Sequence, residues 1–277
     1  MTVYRTYIPQ PPLANFVDIF WLYEGYNPPH AKERVLPNGS MELVINLRED
    51  TLRVYDGQKH DQFQSFRGCL LCGAHSEFSV IDTASQESIM GVHFKPGGAF
   101  PFLTLPADEL HTADVSLDTL WGATADDLRD RLLEAETPET RFHILEQSLL
   151  AHAVRPLAWH PVVAFALKEF QGMPPHPNTR TISDVTERIG LSPRRFIQVF
   201  SEEVGLTPKL FWRIRRFQEV LRLIGRRHRI EWADIALTCG YFDQAHFIHD
   251  FRAFSGLNPR AYLMHRGEHL NHVPLHD

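Results

Sequence analysis

The sequence predicts an α+β chain: an N-terminal β-sandwich or barrel-like domain, then an all-α C-terminal domain that carries one helix-turn-helix unit twice. Three observations predict it. Up to about Trp121, apolar and polar residues alternate in short runs, the period of 2 of half-buried strands. From Thr124 the apolar spacing becomes helical. In the last third, residues 182–211 and 233–262 repeat one pattern. Asp184, Val185 and Gly190 recur as Asp234, Ile235 and Gly240 at a spacing of 50. Phe196, Phe200, Gly205, Leu206 and Pro208 recur as Phe247, Phe251, Gly256, Leu257 and Pro259 at a spacing of 51. The one-residue slip falls just after the glycine, in the turn, where an insertion costs least.

In the β-rich part, Met41, Leu43, Ile45 and Leu47 alternate with Glu42, Val44 and Asn46. Further strands are expected in TLRVYD, GCLLCG, FSVID and IMGVHF, separated by turn residues. Pro37-Asn38-Gly39 and Pro96-Gly97-Gly98 read as turns, since they supply a fixed φ and tolerance of positive φ. Met90, Val92 and Phe94 share one strand face, and His93 and Lys95 the other. If the polar faces line the barrel, Glu42, Asn46 and His93 are candidate ligand contacts; if they face out, they are solvated.

Leu128, Leu132 and Leu133, then Phe142, Leu145 and Leu149, mark two helices. Thr137 is the cap and Pro138 the first helical residue between them. This pair forms either a dimer face or packing under the barrel, because an amphipathic helix needs only some apolar partner. Another helix starts at His160-Pro161. QGMPPHPN, residues 171–178, reads as a stiff loop. The histidine-rich residues after Arg266 read as a frayed tail.

In the first repeat, a helix runs from just after Thr181 through Ile189, Gly190 supplies the turn, and Ser192-Pro193 caps the second helix. That helix buries Phe196, Val199 and Phe200 and presents Arg194, Arg195, Ile197 and Gln198. Arg bonds guanine bidentately, Gln does the same to adenine, and Ile touches a thymine methyl. In the second repeat Asp243 is the cap, Phe247, Ile248 and Phe251 face inward, and Gln244, Ala245, His246 and His249 face out. One continuous helix from Pro208 to Ile224, with a stripe of Leu210, Ile214, Phe217, Leu221 and Ile224, joins the two. At about 1.5 Å per residue it is a rod of roughly 25 Å, on the scale that separates two reading helices on one face of B-DNA, about 34 Å apart.

The charge balance fits DNA only once it is divided. The 277 residues carry a net −6. Residues 160–277 hold 16 Lys and Arg against 12 Asp and Glu, whereas residues 1–159 hold 12 against 22. Arg213, Arg215, Arg216, Arg222, Arg226, Arg227 and Arg229 crowd between the repeats, a footprint for phosphate or a solvated helix face. Arg215 and Arg216 are taken as DNA contacts. The N-terminus lacks the features of a secretory signal, no segment has the run of about 20 apolar residues of a membrane span, and three cysteines fit a reducing cytosol. Cys69, Cys72 and His75 form C-x-x-C-x-x-H, but strand positions 69 and 72 point to opposite faces, so core cysteine is preferred to a metal site. No nucleophile elbow, P-loop or dinucleotide fingerprint is present, so no catalytic residue, cofactor or metal is expected.

Residues 160–263 resemble the DNA-binding domain of the AraC/XylS transcription regulators, through IGLSPRRFIQVF, GLTPKLFWRIRRFQ, IALTCGYFDQAHFIHDF and GLNPRAY. The resemblance implies seven helices, two helix-turn-helix subdomains and a linker helix, with base-reading positions at Arg194, Ile197, Gln198, Gln244, Ala245 and His249. Two positions depart: Thr186 stands where the family usually has alanine, as Ala236 does in the second copy, and His249 where arginine is common. Residues 1–121 resemble, through YIPQPPLANFVDIFW, VLPNGSMELVINL and GVHFKPGGAFPFL, the N-terminal domain of a subset of AraC-type regulators, taken as a sensor of unidentified ligand. The expectation is a cytoplasmic DNA-binding transcription regulator. Its domains are an effector-binding domain at 1–122, a helical connector at 123–159, a DNA-binding domain at 160–266 and a tail at 267–277. Expected partners are operator DNA, RNA polymerase, a small effector and a second copy of the chain.

Overall fold

The computed structural model describes residues 2–172, 182–226, 230–267 and 269–275. Its N-terminal part is built on two antiparallel sheets. The first sheet runs β1 (Val3–Tyr7), β2 (Val17–Glu24), β9 (Ser88–Phe94), β4 (Glu42–Asn46), β7 (Cys69–Cys72) and β10 (Asp114–Ser116). The second runs β11 (His272–Leu275), β3 (Lys32–Val35), β8 (Ser79–Asp82), β5 (Leu52–Tyr55) and β6 (Phe63–Phe66).

Strand alternation splits the first sheet into two unlike faces. Leu43, Ile45, Leu71, Met90 and Val92 are buried in the main core. The helices α1 (Leu117–Trp121), α2 (Ala123–Glu134) and α3 (Pro138–His152) cover that side. Phe142 of α3 stacks on Tyr7, which stacks on Phe20, with ring centroids 5.7 and 5.9 Å apart. The Thr137 hydroxyl caps α3 by accepting from the Thr140 N–H. Leu128, Leu132, Phe142, Leu145 and Leu149 all enter the core, so the apolar stripe of the connector packs under the sheet. The opposite face of the sheet looks toward the second sheet and is far more polar.

Among the described residues seven helices follow: α4 (Pro161–Gly172), α5 (Ile182–Ile189), α6 (Pro193–Val204), α7 (Pro208–Arg226), α8 (Trp232–Thr238), α9 (Gln244–Ser255) and α10 (Pro259–His265). Of the stiff loop expected at 171–178, Gln171 and Gly172 instead complete the last turn of α4, and the rest, with Arg227 and Arg229, lies outside the described residues. The linker helix α7 buries Phe211, Ile214, Phe217, Leu221 and Ile224. Leu210, expected in that stripe, is only partly buried, because Phe211 takes the inward position.

The two parts share one hydrophobic core. Gly205, which ends α6, lies against Met41, Ala74 and Ala107. Gly256, which ends α9, lies against the ring of Phe78. Gln218 of α7 donates to the Pro37 carbonyl at 2.7 Å and to Asn271 at 2.9 Å.

The described residues after Arg266 are not a frayed tail. His272–Leu275 is an edge strand paired antiparallel with β3, and Val273 is fully buried. The Tyr262 hydroxyl donates to the Leu270 carbonyl at 2.8 Å and ties the segment to α10. Four residues with a proline carry too little pattern to announce a strand; the partner strand supplies the order.

Candidate nucleic-acid interface and ligand cavity

The two repeats fold alike in detail. Each turn is a glycine in the left-handed region, Gly190 and Gly240, both at φ +72°, where a side chain would strain the backbone. Ser192 caps α6 by accepting from the Arg195 N–H at 3.3 Å. Asp243 caps α9 by accepting from the His246 N–H at 2.7 Å. Behind each cap the aromatic pairs Phe196–Phe200 and Phe247–Phe251 fix the helix to its subdomain. The outward faces then follow from helical spacing. Arg194, Arg195, Ile197 and Gln198 are exposed on α6, and Gln244, Ala245, His246 and His249 on α9. Gln198 donates to Glu202 at 2.7 Å, a bond it must exchange to reach a base. Phe242, one residue before the α9 cap, is 90% exposed.

The arginines of α7 are placed differently from expectation. Arg213 and Arg216 both reach the carboxylate of Asp250 on α9, at 2.8 and 3.2 Å. Arg216 also donates to the Gly240 carbonyl at 3.2 Å and lies 4.5 Å from the Tyr241 ring centroid. Its guanidinium therefore joins linker to recognition helix and is not free for phosphate. Arg215 is half-buried, and that burial lowers its pKa. Arg222 is paired with Glu219. Arg194, Arg195, Lys209, Arg252 and Arg260 are exposed cations.

The second site lies between the sheets. A cavity of about 430 Å3 is lined by residues from both. The register explains the lining. Ile19, His93, Glu42, Cys72 and Asp114 form one row across the first sheet, and Trp21, Gly91, Val44 and Leu70 the next. Opposite them, Glu33, Ile81 and Val54 form a row of the second sheet. Glu42 and His93 thus line the cavity as one of the two readings required. Asn46 does not. It is buried at the end of β4, where its amide donates to the Thr51 and Ser85 carbonyls and its oxygen accepts from the Arg48 and Glu49 N–H groups, so it holds a loop.

Glu33 is the most enclosed charge on the wall. Burial alone would raise its pKa, but hydrogen bonds from His272, Tyr26 and His30 hold it at about 2. The His272–Glu33 contact is 3.0 Å, so the C-terminal strand supplies part of the cavity wall. His93, although burial pulls its pKa down, is raised overall by Glu42 at 3.8 Å. His75 pairs with Asp114 at 3.0 Å. Cys69 faces the core and Cys72 the cavity, the opposite-face placement that strand geometry requires.

Residues 185–265 match a helix-turn-helix domain, and residues 5–116 match a domain of unknown function (DUF6597). No curated protein sequence matches the chain. Among solved structures, the chain is similar to ToxT from Vibrio cholerae, with TM-score 0.45, 8% identity, and 94% of this chain and 98% of that one covered. It is similar to the C-terminal domain of AraT, a response regulator from Geobacillus stearothermophilus, with TM-score 0.35, 21% identity, and 40% and 94% covered. It is also similar to a DNA-binding transcriptional dual regulator from Escherichia coli K-12, with TM-score 0.33, 23% identity, and 39% and 94% covered.

Two capped helices, both open on the same positions and joined by one linker helix, form a paired helix-turn-helix domain of the DNA-binding kind. The matched residues 185–265 hold α5 to α10, two helix-turn-helix units joined by the linker helix α7. Among the described residues no helix is long and apolar enough to cross a membrane.

Proposed function

We propose that the protein reads an asymmetric operator by placing α6 and α9 in two successive major grooves, under the control of a small effector held between the two sheets. The observation that carries the DNA half is the matched pair of exposed faces: Arg194, Arg195, Ile197 and Gln198 on one helix, Gln244, Ala245, His246 and His249 on the other. Side chains at the start of a recognition helix read base edges, and exposed cations set affinity and salt dependence. Phe242 joins the second reader as an apolar contact for thymine methyls or sugars.

The cavity supports the effector half because its walls are shared. The turn at Leu36, Pro37 and Asn38 lines it and is gripped by Gln218 of the linker helix. His272, beyond the second helix-turn-helix, lines it as well. A ligand that favours one arrangement of turn and strand would bias the linker helix by its differential affinity. The protein acts without catalysis, in the cytoplasm, as a dimer that contacts RNA polymerase. In vitro selection of random duplex DNA with the full chain tests the reading. A consensus with two base-specific blocks about one helical turn apart supports it; recovery of no consensus refutes it.

A further inference from the structure

We propose that the effector is an organic cation, an amine or quaternary ammonium with an apolar body. This rests on the reading of the inter-sheet cavity as the effector site and adds the chemical class. Three features of the wall converge on it.

The first is charge. Four carboxylates reach the cavity, Asp18 at its rim and Glu33, Glu42 and Asp114 within. Against them stands one guanidinium, Arg53, which is paired with Asp82 at 3.5 Å and lies 5.9 Å from the Phe63 ring centroid. The histidines on the wall do not reverse this balance. His75, His93 and His272 each face a carboxylate, and His269 meets the Tyr23 hydroxyl at 2.6 Å. An anion entering here finds carboxylates and no unengaged cation among the described residues.

The second is the aromatic wall. Tyr4 and Tyr23 lie 4.4 Å apart between centroids, Tyr23 and Tyr26 5.5 Å, and Trp21 and Tyr23 6.2 Å. Contiguous electron-rich faces beside carboxylates attract a desolvated ammonium, the more so when it is alkylated. The third is Trp21 itself. It is more than nine-tenths buried and lies on the cavity wall. Its indole N–H has no acceptor in the chain among the described residues. Buried donors without partners are rare in native proteins. The remaining wall, Val44, Val54, Leu70 and Ile81, is apolar. The volume of about 430 Å3 lies in the range of small-molecule sites.

The test is thermal shift followed by calorimetry on the full chain, with three matched probe series. One holds arylalkylamines such as tyramine and their trimethylammonium forms. The second holds the corresponding carboxylates, such as hydroxyphenylpropionate, and the third the neutral alcohols, such as tyrosol. The cationic series should raise the melting temperature and the carboxylates should not. Glu42→Gln should weaken binding of the primary amines roughly tenfold, the worth of one charged hydrogen bond. Tyr4→Leu, at a half-exposed position tolerant of change, should weaken it several-fold and preserve folding if the first variant does not. Carboxylates or alcohols that bind as well as the amines would overturn the charge assignment while leaving the cavity as an effector site. Silence of all three series would overturn both.

Discussion

Replacing Asp250 by Asn should loosen the second recognition helix from the linker helix. Asp250 is 1% exposed and receives two guanidinium groups. Removing one partner of a buried ion pair costs about 3–5 kcal/mol, because the other charge is left uncompensated. The cost here is lower. The Arg213 side chain is 32% exposed and can turn to water, whereas Arg216 at 12% cannot. About 2–3 kcal/mol is therefore expected, a fall of roughly 5–10 °C in melting temperature at the per-kcal sensitivity of large domains. Scanning calorimetry measures the stability, and a gel-shift titration against the selected operator measures the consequence for α9. Base preference should be lost in the block read by Gln244 and His249 and kept in the block read by Arg194 and Gln198. A variant that melts within about 1 °C of wild type and keeps both blocks would refute the reasoning.

Three further outcomes are expected. Burial raises the Glu203 carboxyl to about 7, from an ordinary value of 4.5. The folded chain then holds a proton that the unfolded chain releases, so this group's contribution is full below pH 4.5 and declines as pH rises to 7. Glu203→Gln should be more stable than wild type at pH 8, by up to roughly 3 kcal/mol, with the gap closing toward pH 4.5 in denaturant titrations. Gly256→Ala should destabilise by about 1–3 kcal/mol, because φ is +69° and a Cβ would stand 2.4 Å from the Phe78 ring. Phe78→Ala added to it should recover only the steric part in the same urea titration. Phe242→Ala should leave the melting temperature unchanged and weaken operator binding by about 1 kcal/mol, read by gel shift.

The sequence disclosed the helical half almost completely, because repetition doubles every signal. Each cap, turn glycine and inward aromatic of the first repeat is checked by its counterpart in the second. Met41, Leu43 and Ile45 showed their strand through alternation and set Glu42 on its opposite face, but alternation alone does not say whether that face lines a cavity or meets solvent. The joint between domains was invisible. Asp250 sits between Phe247 and Phe251 on an inward face, a hint that it needs buried cations, but only tertiary structure brings Arg213 and Arg216 to it. Asn46 carried the same strand period as Glu42, yet the strand ends there and its amide serves the following loop. The strand at His272–Leu275 depends on a partner more than 200 residues away, a pairing that local pattern cannot encode.

Methylation interference on the selected operator would measure groove occupancy directly. Two patches in successive major grooves, about 10 base pairs apart, are expected for the wild-type chain. Arg194→Ala with Gln198→Ala should erase one patch, and Gln244→Ala with His249→Ala the other, each substitution costing roughly 1–3 kcal/mol. A single patch, or two patches that persist in both double variants, would contradict reading by α6 and α9.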